Sequence, residues 1–364
     1  MSGKVYNVAV VGYGLSAKVF HIPFIKRTAQ FKLHGIVQRT PKEGDSAPHD
    51  HPDIKHYRDF VDAVIDPEVD VLVISTTPNT HFHMTKTALE AGKHVLTEKP
   101  FVPTSKEAGQ LDEIAKKQQR ILCIYQNRRW DSDFLTLKHI LSQGTLGRLV
   151  EFNTHFDRYR AAGYSSESWK GSLGINDGGG VLYDLGTHLI DQVYSLFGLP
   201  QAVHGRLVSQ REGKLDLDNP DSLSAELVYP NGMLVNIRAG VLSAESRQVR
   251  YWIRGSKGSF HKYNLDKQEP QLKNGMSPED EGFGVDDPND LSLTVVGDNN
   301  EFQAQAVPNL VPEGYQTFYN KFAQAVASGK QEDTPVKAAE ARDVLRIIEA
   351  IRESAKSGKD AYLD

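Results

Sequence analysis

An apolar, β-branched run over residues 5–11 breaks at Gly12-x-Gly14-x-x-Ala17 and passes at once into a helical pattern. Gly12 permits the tight turn out of a strand, Gly14 lets the backbone approach a pyrophosphate, and Ala17 lets a helix pack closely on that strand. The anion would lie at the helix N-terminus, where free amides and the helix dipole favour negative charge. Glycine turns are common, so the weight comes from the position between strand and helix. Tyr13, Leu15 and Ser16 fill the same turn and join Gly12, Gly14 and Ala17 as candidate cofactor-binding residues.

The second strand refines the cofactor. In such units a carboxylate about 20 residues on binds the adenosine ribose hydroxyls. Here residues 32–37 read as the strand, and it ends in Gln38-Arg39-Thr40 with no acid. A carboxylate would repel a ribose 2′-phosphate, whereas Arg39 would pair with it bidentately. The expectation is NADP, with NAD possible, and Gln38, Arg39 and Thr40 as its contacts. The plain alternative is that Arg39 is a solvated loop charge.

The chain has 364 residues, enough for two domains with real cores. With 39% hydrophobic and 24% charged residues it reads as globular, not disordered. A formal net charge of −5 leaves no basic footprint for nucleic acid. The lone cysteine, Cys123, excludes an internal disulfide framework, suits a reducing compartment, and sits in an apolar run where it reads as a buried hydrophobe. No apolar run approaches a membrane span, and the N-terminus enters a core strand directly, so a cytoplasmic protein without a leader is expected.

Over residues 1–125 strand and helix patterns alternate, which predicts a doubly wound parallel sheet, an α/β Rossmann domain. Ligands bind such sheets at the carboxyl ends of the strands, which points to Gly12–Ala17, Thr76–His81 and Glu98-Lys99-Pro100. Residues 126–364 read differently. Helices are expected over 131–142 and 181–197, then strands with no helix between them. Pro230-Asn231-Gly232 and Gly255-Ser256-Lys257-Gly258 mark two hairpins. This is an α+β domain with a largely antiparallel open sheet, whose free face suits a partner subunit. Residues 264–300 are polar and turn-rich and read as an insertion or long loop, and two helices close the chain.

Three places carry chemistry. Asp184, His188 and Asp191 fall on one face of a regular helix, so the two carboxylates would flank the histidine. A neutral imidazole there takes a proton from a hydroxyl as hydride leaves the same carbon. Lys99 stands at a strand's carboxyl end, where an ammonium stabilises negative charge on a reacting oxygen. The run Tyr125-Gln126-Asn127-Arg128-Arg129-Trp130-Asp131 marks the crossing between domains and offers polyol-binding groups. Arg158, Tyr159, Arg160 and Trp169 are weaker candidates of the same kind. The plain alternatives are a satisfied core histidine, a surface lysine paired with Glu98, and a charged linker ending in an Asp cap. The His49, Asp50, His51, Asp53 and His56 cluster lacks regular zinc spacing and reads as a solvated loop, with no metal expected.

Taken together these motifs resemble the glucose–fructose oxidoreductase / inositol dehydrogenase / rhizopine catabolism superfamily, collinear over nearly the whole chain. The marks are Gly12-x-Gly14 with His21, Thr76-Thr77-Pro78-Asn79-Thr80-His81, Ala91-Gly92-Lys93-His94-Val95, Glu98-Lys99-Pro100 and Asp184-x-x-x-His188. Within it the chain most resembles the NADP-dependent scyllo-inositol dehydrogenase branch. The resemblance implies catalysis by Lys99, Asp184 and His188. It places Thr76, Thr77, Pro78, Asn79 and His81 along the nicotinamide ribose, and adds Glu98, Lys99, Asn127 and Trp169 as cofactor contacts. Lys99, Tyr125, Asn127, Arg128, Arg158, Tyr159, Asp184 and His188 would face substrate. Lys170 departs from the arginine usual beside Trp169, which puts a cofactor contact there in doubt. The implied activity interconverts a hydroxyl of a cyclic polyol or sugar and its ketone or lactone. An aldose or keto-sugar substrate and a non-catalytic dinucleotide-binding regulator stay open as alternatives. The implied assembly is a homodimer or homotetramer, with no nucleic-acid or membrane partner.

The cofactor reading has a direct test. Arg39→Asp removes a charge-assisted pair and adds repulsion, so NADP affinity is expected to fall by about a hundredfold or more while NAD is little affected. Titration of both dinucleotides by fluorescence measures it, and a wild-type preference for NAD overturns it.

Overall fold

The computed structural model describes residues 4–165, 167–308, 310 and 314–363. Its first sheet has six parallel strands, β1 (Tyr6–Val11), β2 (Phe31–Val37), β3 (Lys55–Tyr57), β4 (Val71–Ile74), β5 (His94–Glu98) and β6 (Leu122–Tyr125). Their order is β3-β2-β1-β4-β5-β6, so the chain reverses direction across the sheet between β1 and β4. Val8–Val11 and all of β4 are buried, as continuous Val/Ile runs demand when helices cover both faces. The helices Pro78–Glu90 and Ser105–Gln118 return the chain between β4, β5 and β6. The second starts at a reciprocal cap, in which the Thr104 hydroxyl accepts from Glu107 N–H and the Glu107 carboxylate accepts from Thr104 N–H. The switch between β1 and β4 opens the crevice in which such sheets hold ligands.

The second sheet has ten strands: β7 (Leu149–Asp157), β8 (Ala202–Ser209), β9 (Lys214–Leu215), β10 (Ser222–Val228), β11 (Leu234–Gly240), β12 (Val249–Gly255), β13 (Gly258–Tyr263), β14 (Leu291–Val296), β15 (Phe302–Gln305) and β16 (Ala361–Tyr362). The order is β15-β14-β13-β12-β7-β11-β10-β8-β16, with β9 beside β8. Both expected hairpins form, β10 with β11 and β12 with β13. Among the described residues of this second sheet only β7 and β11 pair in parallel. One face is buried. The other shows Trp252, Arg254, Arg238, Glu226 and Arg206, with Trp252, His261 and Tyr263 in a stacked row.

The chain divides into two compact units. One comprises Met1–Asn127, Leu272–Pro278 and Glu313–Arg342, and the other Arg128–Gln271, Glu279–Pro312 and Asp343–Asp364. Beside the expected division at 125/126, two later segments of the chain therefore group with the first unit. The helix Gly314–Ser328 belongs with the parallel sheet because its aromatic stripe finds partners there. Tyr319 stacks on Phe24 at 6.0 Å, Phe322 meets Phe31 at 5.5 Å and Phe318 meets Tyr125 at 4.9 Å. The 264–300 region is also corrected. It supplies the helix Gln268–Lys273 and β14, and Asp266 and Gln268 are buried. Asp266 accepts Ser132 N–H at 2.7 Å, and the Gln268 amide donates to Trp130 O at 2.9 Å. Its polar residues are internal fasteners, which composition does not distinguish from a solvated loop.

If Phe322 is part of the first unit's core, Phe322→Ala should destabilise that unit by about 3–5 kcal/mol, the usual cost of deleting a buried aromatic ring. Denaturation monitored by hydrogen exchange of β1 and β2 measures it, and unchanged protection there contradicts the assignment.

Candidate active site

Gly12 leaves β1 with φ of +99°, and an added Cβ would lie 2.3 Å from Ser75 O. The turn therefore passes against the end of β4 in a way open only to glycine. Gly14 is exposed, and an added Cβ would meet nothing within 4 Å, so open space faces the backbone there. A helix follows directly, with a wide five-residue π turn over Ala17–His21. These features fit a dinucleotide pyrophosphate: a cradle without side chains, at a helix start. Leu15 is exposed and Ala17 buried against the strand, as the motif requires.

Arg39 and Thr40 are exposed beyond β2. Gln38 is different. Its amide donates to Asp45 O at 2.8 Å and accepts Ala47 N–H at 2.7 Å, so its side chain braces the following loop and is not offered to a ligand. Tyr13 has a similar task, donating to Asp50 at 2.7 Å while Lys18 pairs with Asp45 at 2.6 Å. The 49–56 histidines and acids disperse over this loop. His49 sits on Asp50, and His56 on His51 O. Among the described residues the group with metal-holding geometry is instead His34, Asp66 and Glu68, where Lys55 and the Tyr57 hydroxyl already engage Asp66.

At the end of β4, the Thr76 and Thr80 hydroxyls lie 2.7 Å apart and the Thr77 hydroxyl donates to Asn79 at 2.8 Å. His81 is fully buried, with Nδ1 2.9 Å from Pro100 O and Nε2 3.2 Å from Thr76 O. It ties the ends of β4 and β5 together, and burial pushes its pKa down. Pro78 is buried at the helix start. Glu98, the last residue of β5, is also buried. Its Oε1 accepts from His21 Nε2 at 3.0 Å and from the Ser16 hydroxyl, and its Oε2 accepts Lys99 N–H at 2.8 Å. Tyr125, expected at a substrate, is 1% exposed with its hydroxyl on Phe20 O at 2.9 Å and its ring 4.5 Å from His21. In this structure it packs inside the first unit. Its apolar body fits the core at the end of β6, and its one polar atom is satisfied inside. Lys99 is half-buried just past β5, on the same sheet edge as Gly12 and Thr76.

In the second unit, the turn Leu182–Gly186 is again π-helical and runs into the helix Thr187–Phe197. Such turns recur at functional sites because they rotate the side chains that follow. Lys170 holds both Asp184 oxygens, at 2.8 and 2.7 Å, and its ammonium lies 5.3 Å from the Trp169 ring. His188 is buried and stacks on Phe156 at 6.3 Å. The guanidiniums of Arg128 and Arg158 lie 5.1 and 5.0 Å from that same ring. So three separately chosen residues converge on Phe156, which sequence reasoning missed because it reads as an ordinary inward β7 position. Asp191, three residues on from His188 in the same α-helix, is buried and receives Arg129 Nε and Nη2, both at 2.8 Å. Asn127 is buried in the turn Asn127–Trp130, and Tyr159 is exposed.

Arg128 is pinned by Asp131 at 3.1 Å and by Glu269, and its carbonyl accepts from the Gln192 amide at 2.7 Å. Arg250 meets Asp133 at 3.0 Å with both side chains out of water. Burial, with Asp133 nearby, pushes the Asp266 carboxyl up to about 6. Burial likewise raises Asp131, against the charge of Arg128.

Comparison with known proteins decides the family. Residues 6–126 match the NAD-binding Rossmann fold of an oxidoreductase family, and residues 138–363 match its C-terminal alpha/beta domain. The chain belongs to the Gfo/Idh/MocA oxidoreductase family. An uncharacterized oxidoreductase of Schizosaccharomyces pombe, C115.03, is 37% identical, covering 98% of this chain and 99% of that protein. The scyllo-inositol 2-dehydrogenase (NADP(+)) IolW of Bacillus subtilis is 33% identical over 98% of this chain and 96% of its own. The solved yvaA oxidoreductase of Bacillus subtilis superposes with a TM-score of 0.91 at 32% identity, covering 100% of both chains. This Gfo/Idh/MocA oxidoreductase thus carries an NAD(P)-binding Rossmann domain. No helix among the described residues is long and apolar enough to cross a membrane.

The geometry of the first turn gives a sharp expectation. Gly12→Ala forces a Cβ onto Ser75 O at a positive φ, so dinucleotide affinity should drop at least about tenfold, alongside a fall in thermal stability. Gly14→Ala has room in the free protein and should lose affinity with little change in stability. Paired melting and NADPH titrations distinguish them, and tight binding by both variants would count against the cradle.

Proposed function

We propose that this oxidoreductase is NADP-dependent and interconverts a ring hydroxyl of a cyclic polyol or sugar, such as scyllo-inositol, with its ketone or lactone. The observation that carries the reading is Lys99 at the carboxyl end of β5, beside the strand ends that carry Gly12 and Thr76. A nicotinamide dinucleotide held by the Gly12–Ala17 turn and the Thr76–His81 segment would supply the hydride acceptor, or the hydride donor in reduction. Lys99 holds the reacting oxygen and stabilises its negative charge, and His188 takes the hydroxyl proton. Asp184, with its orientation fixed by Lys170, orients the histidine or the substrate. Arg128 and Arg158 offer donors to further hydroxyls. Arg39, with no acid at the end of β2, supports NADP. The relation to a NADP-dependent inositol dehydrogenase supports the polyol.

We propose also that two or four copies associate through the exposed face of the ten-stranded sheet. Its stacked Trp252–His261–Tyr263 row, edged by Arg254, gives apolar area with a polar rim. Light scattering at micromolar concentration should report a dimer or tetramer, and Trp252→Glu should shift it towards monomer. A wild-type monomer overturns the assembly.

The chemistry is tested by a panel of inositols and sugars with both dinucleotides. NADP turnover is expected on at least one cyclic polyol. His188→Ala should lower kcat by about 10²- to 10⁴-fold with NADP binding kept. Lys99→Met should abolish most turnover. Folded, NADP-binding variants with near wild-type rates would refute these roles.

A further inference from the structure

The parallel sheet gathers a second set of side chains towards the amino-terminal ends of its strands, away from the strand ends that carry Gly12, Thr76 and Lys99. His34 lies in β2, Asp66 directly follows the helix Phe60–Ile65, and Glu68 stands in the lead-in to β4. One nitrogen or oxygen of each lies within 4.8 Å of the others. His34 Nε2 is buried and has no hydrogen-bond partner among the described residues. It stands 3.7 Å from Asp66 Oδ2, and the two side chains are 13% and 5% exposed. Two ligands of a tetrahedral zinc ion, each about 2.1 Å from the metal, stand roughly 3.4 Å apart. Glu68 is exposed, so its longer side chain has room to close the third position.

We propose that His34, Asp66 and Glu68 form a binding site for a divalent transition-metal ion of the zinc type, with Lys55 as the cation that holds its place until the ion binds. One imidazole nitrogen and two carboxylates are a donor set that suits zinc, and the two negative charges balance the dication. The imidazole disfavours calcium and magnesium, which take oxygen ligands. Asp66 is oriented without help from the ion. Lys93 Nζ donates to Asp66 O and to Val69 O, both at 2.7 Å. Glu68 N–H donates to Asp66 Oδ1 at 2.8 Å and the Tyr57 hydroxyl to Oδ2 at 2.6 Å. Such outer contacts fix a ligating carboxylate before the metal arrives. Lys55 also sits on Oδ2, and its side chain is 49% exposed. A pair this exposed contributes little, so the ammonium can return to water when a doubly charged ion takes its place. The ion would tie β2 to the lead-in of β4, remote from the proposed hydride chemistry, and so act on the stability of the first unit.

The probe is zinc chloride, titrated by calorimetry into the full-length protein after chelator treatment, with melting measured in parallel. One equivalent should bind saturably and raise the melting temperature, because an ion that binds only the folded state stabilises it. His34→Gln and Glu68→Gln should each weaken binding at least about tenfold, the loss that even an outer contact of a metal site brings. Lys55→Met removes the competing ammonium and should tighten binding about three- to tenfold. That gain separates this site from any other on the chain, where Lys55 has no part. Calcium chloride should give no comparable binding. The absence of saturable zinc binding overturns the proposal. So does binding of unchanged strength in both His34→Gln and Glu68→Gln, which would place the ion elsewhere, for instance on the His49–His51 loop. A Lys55→Met protein that binds zinc no more tightly than the wild type, or equal affinity for calcium, also counts against the site as drawn. Should His34→Gln not fold, Glu68→Gln alters an exposed side chain and still decides the matter. None of these readouts depends on turnover or on the dinucleotide, so the outcome stands apart from the reading of Lys99 and His188.

Discussion

A carboxylate sealed from water must be stabilised by the protein or lose its charge, and Glu98 imposes that condition on the whole first unit. Transfer of an ion into a protein interior costs several kcal/mol even after relaxation. Here three convergent donors and the neighbouring Lys99 charge offset it. Each donor comes from a different part of the chain: the cofactor turn, the wide turn that follows it, and the residue just past β5. His21 in turn needs Tyr319, which only the helix Gly314–Ser328 supplies. This explains why a helix encoded some two hundred residues beyond β6 belongs with the parallel sheet. Its ring contacts with Phe24, Phe31 and Tyr125 bury apolar area, and its hydroxyl completes a polar circuit that the Rossmann strands cannot close by themselves.

The second unit solves a related problem through helix phase. A regular helix would put Asp184, His188 and Asp191 in one row. The π turn over Leu182–Gly186 shifts the phase of Asp184 relative to the α-helical part that carries both His188 and Asp191. Asp184 pairs with Lys170, and Asp191 takes Arg129. His188 lies instead against Phe156, the ring on which two guanidiniums also rest. The aromatic face favours cations and the edge favours anions, so one ring orients all three groups at small cost.

Much of this was legible in the residues. The doubly wound order, both hairpins and the glycine turn follow from periodicity, from β-branched runs and from the one backbone conformation that Gly12 can adopt and other residues cannot. Glycine reports a backbone constraint, so its meaning survives in sequence. Tyr125 and Gln38 show the opposite case. Each is a residue type that suits a ligand as well as a partner inside the protein, and only coordinates reveal that Phe20 O, Asp45 O and Ala47 N–H had claimed them. Asp266 and Gln268 hid in the same way, since a polar stretch looks solvated until its partners, Ser132 N–H and Trp130 O, are known. Phe156 left no sequence mark at all, because an inward aromatic on a strand is what any core requires.

The charges around the proposed substrate groups bear on what kind of substrate suits them. Arg128 is held by Asp131 and Glu269, and Lys170 by Asp184, so both cations are already neutralised by protein carboxylates. A carboxylate- or phosphate-bearing substrate would have to displace those partners, and at the one fully buried pair, Arg128–Asp131, would leave an acid without compensation. A neutral hydroxyl asks for no such exchange. It can use the lone pairs and N–H groups that remain, and Arg158 Nε is one such donor, buried and without a protein acceptor among the described residues. A guanidinium that is fixed before the ligand arrives loses little entropy on binding. On the proposed reading, a neutral polyol would then suit these groups better than a sugar acid or sugar phosphate. The pairs are in place in the folded protein before any ligand, so the same carboxylates that hold the local structure would bear on that choice.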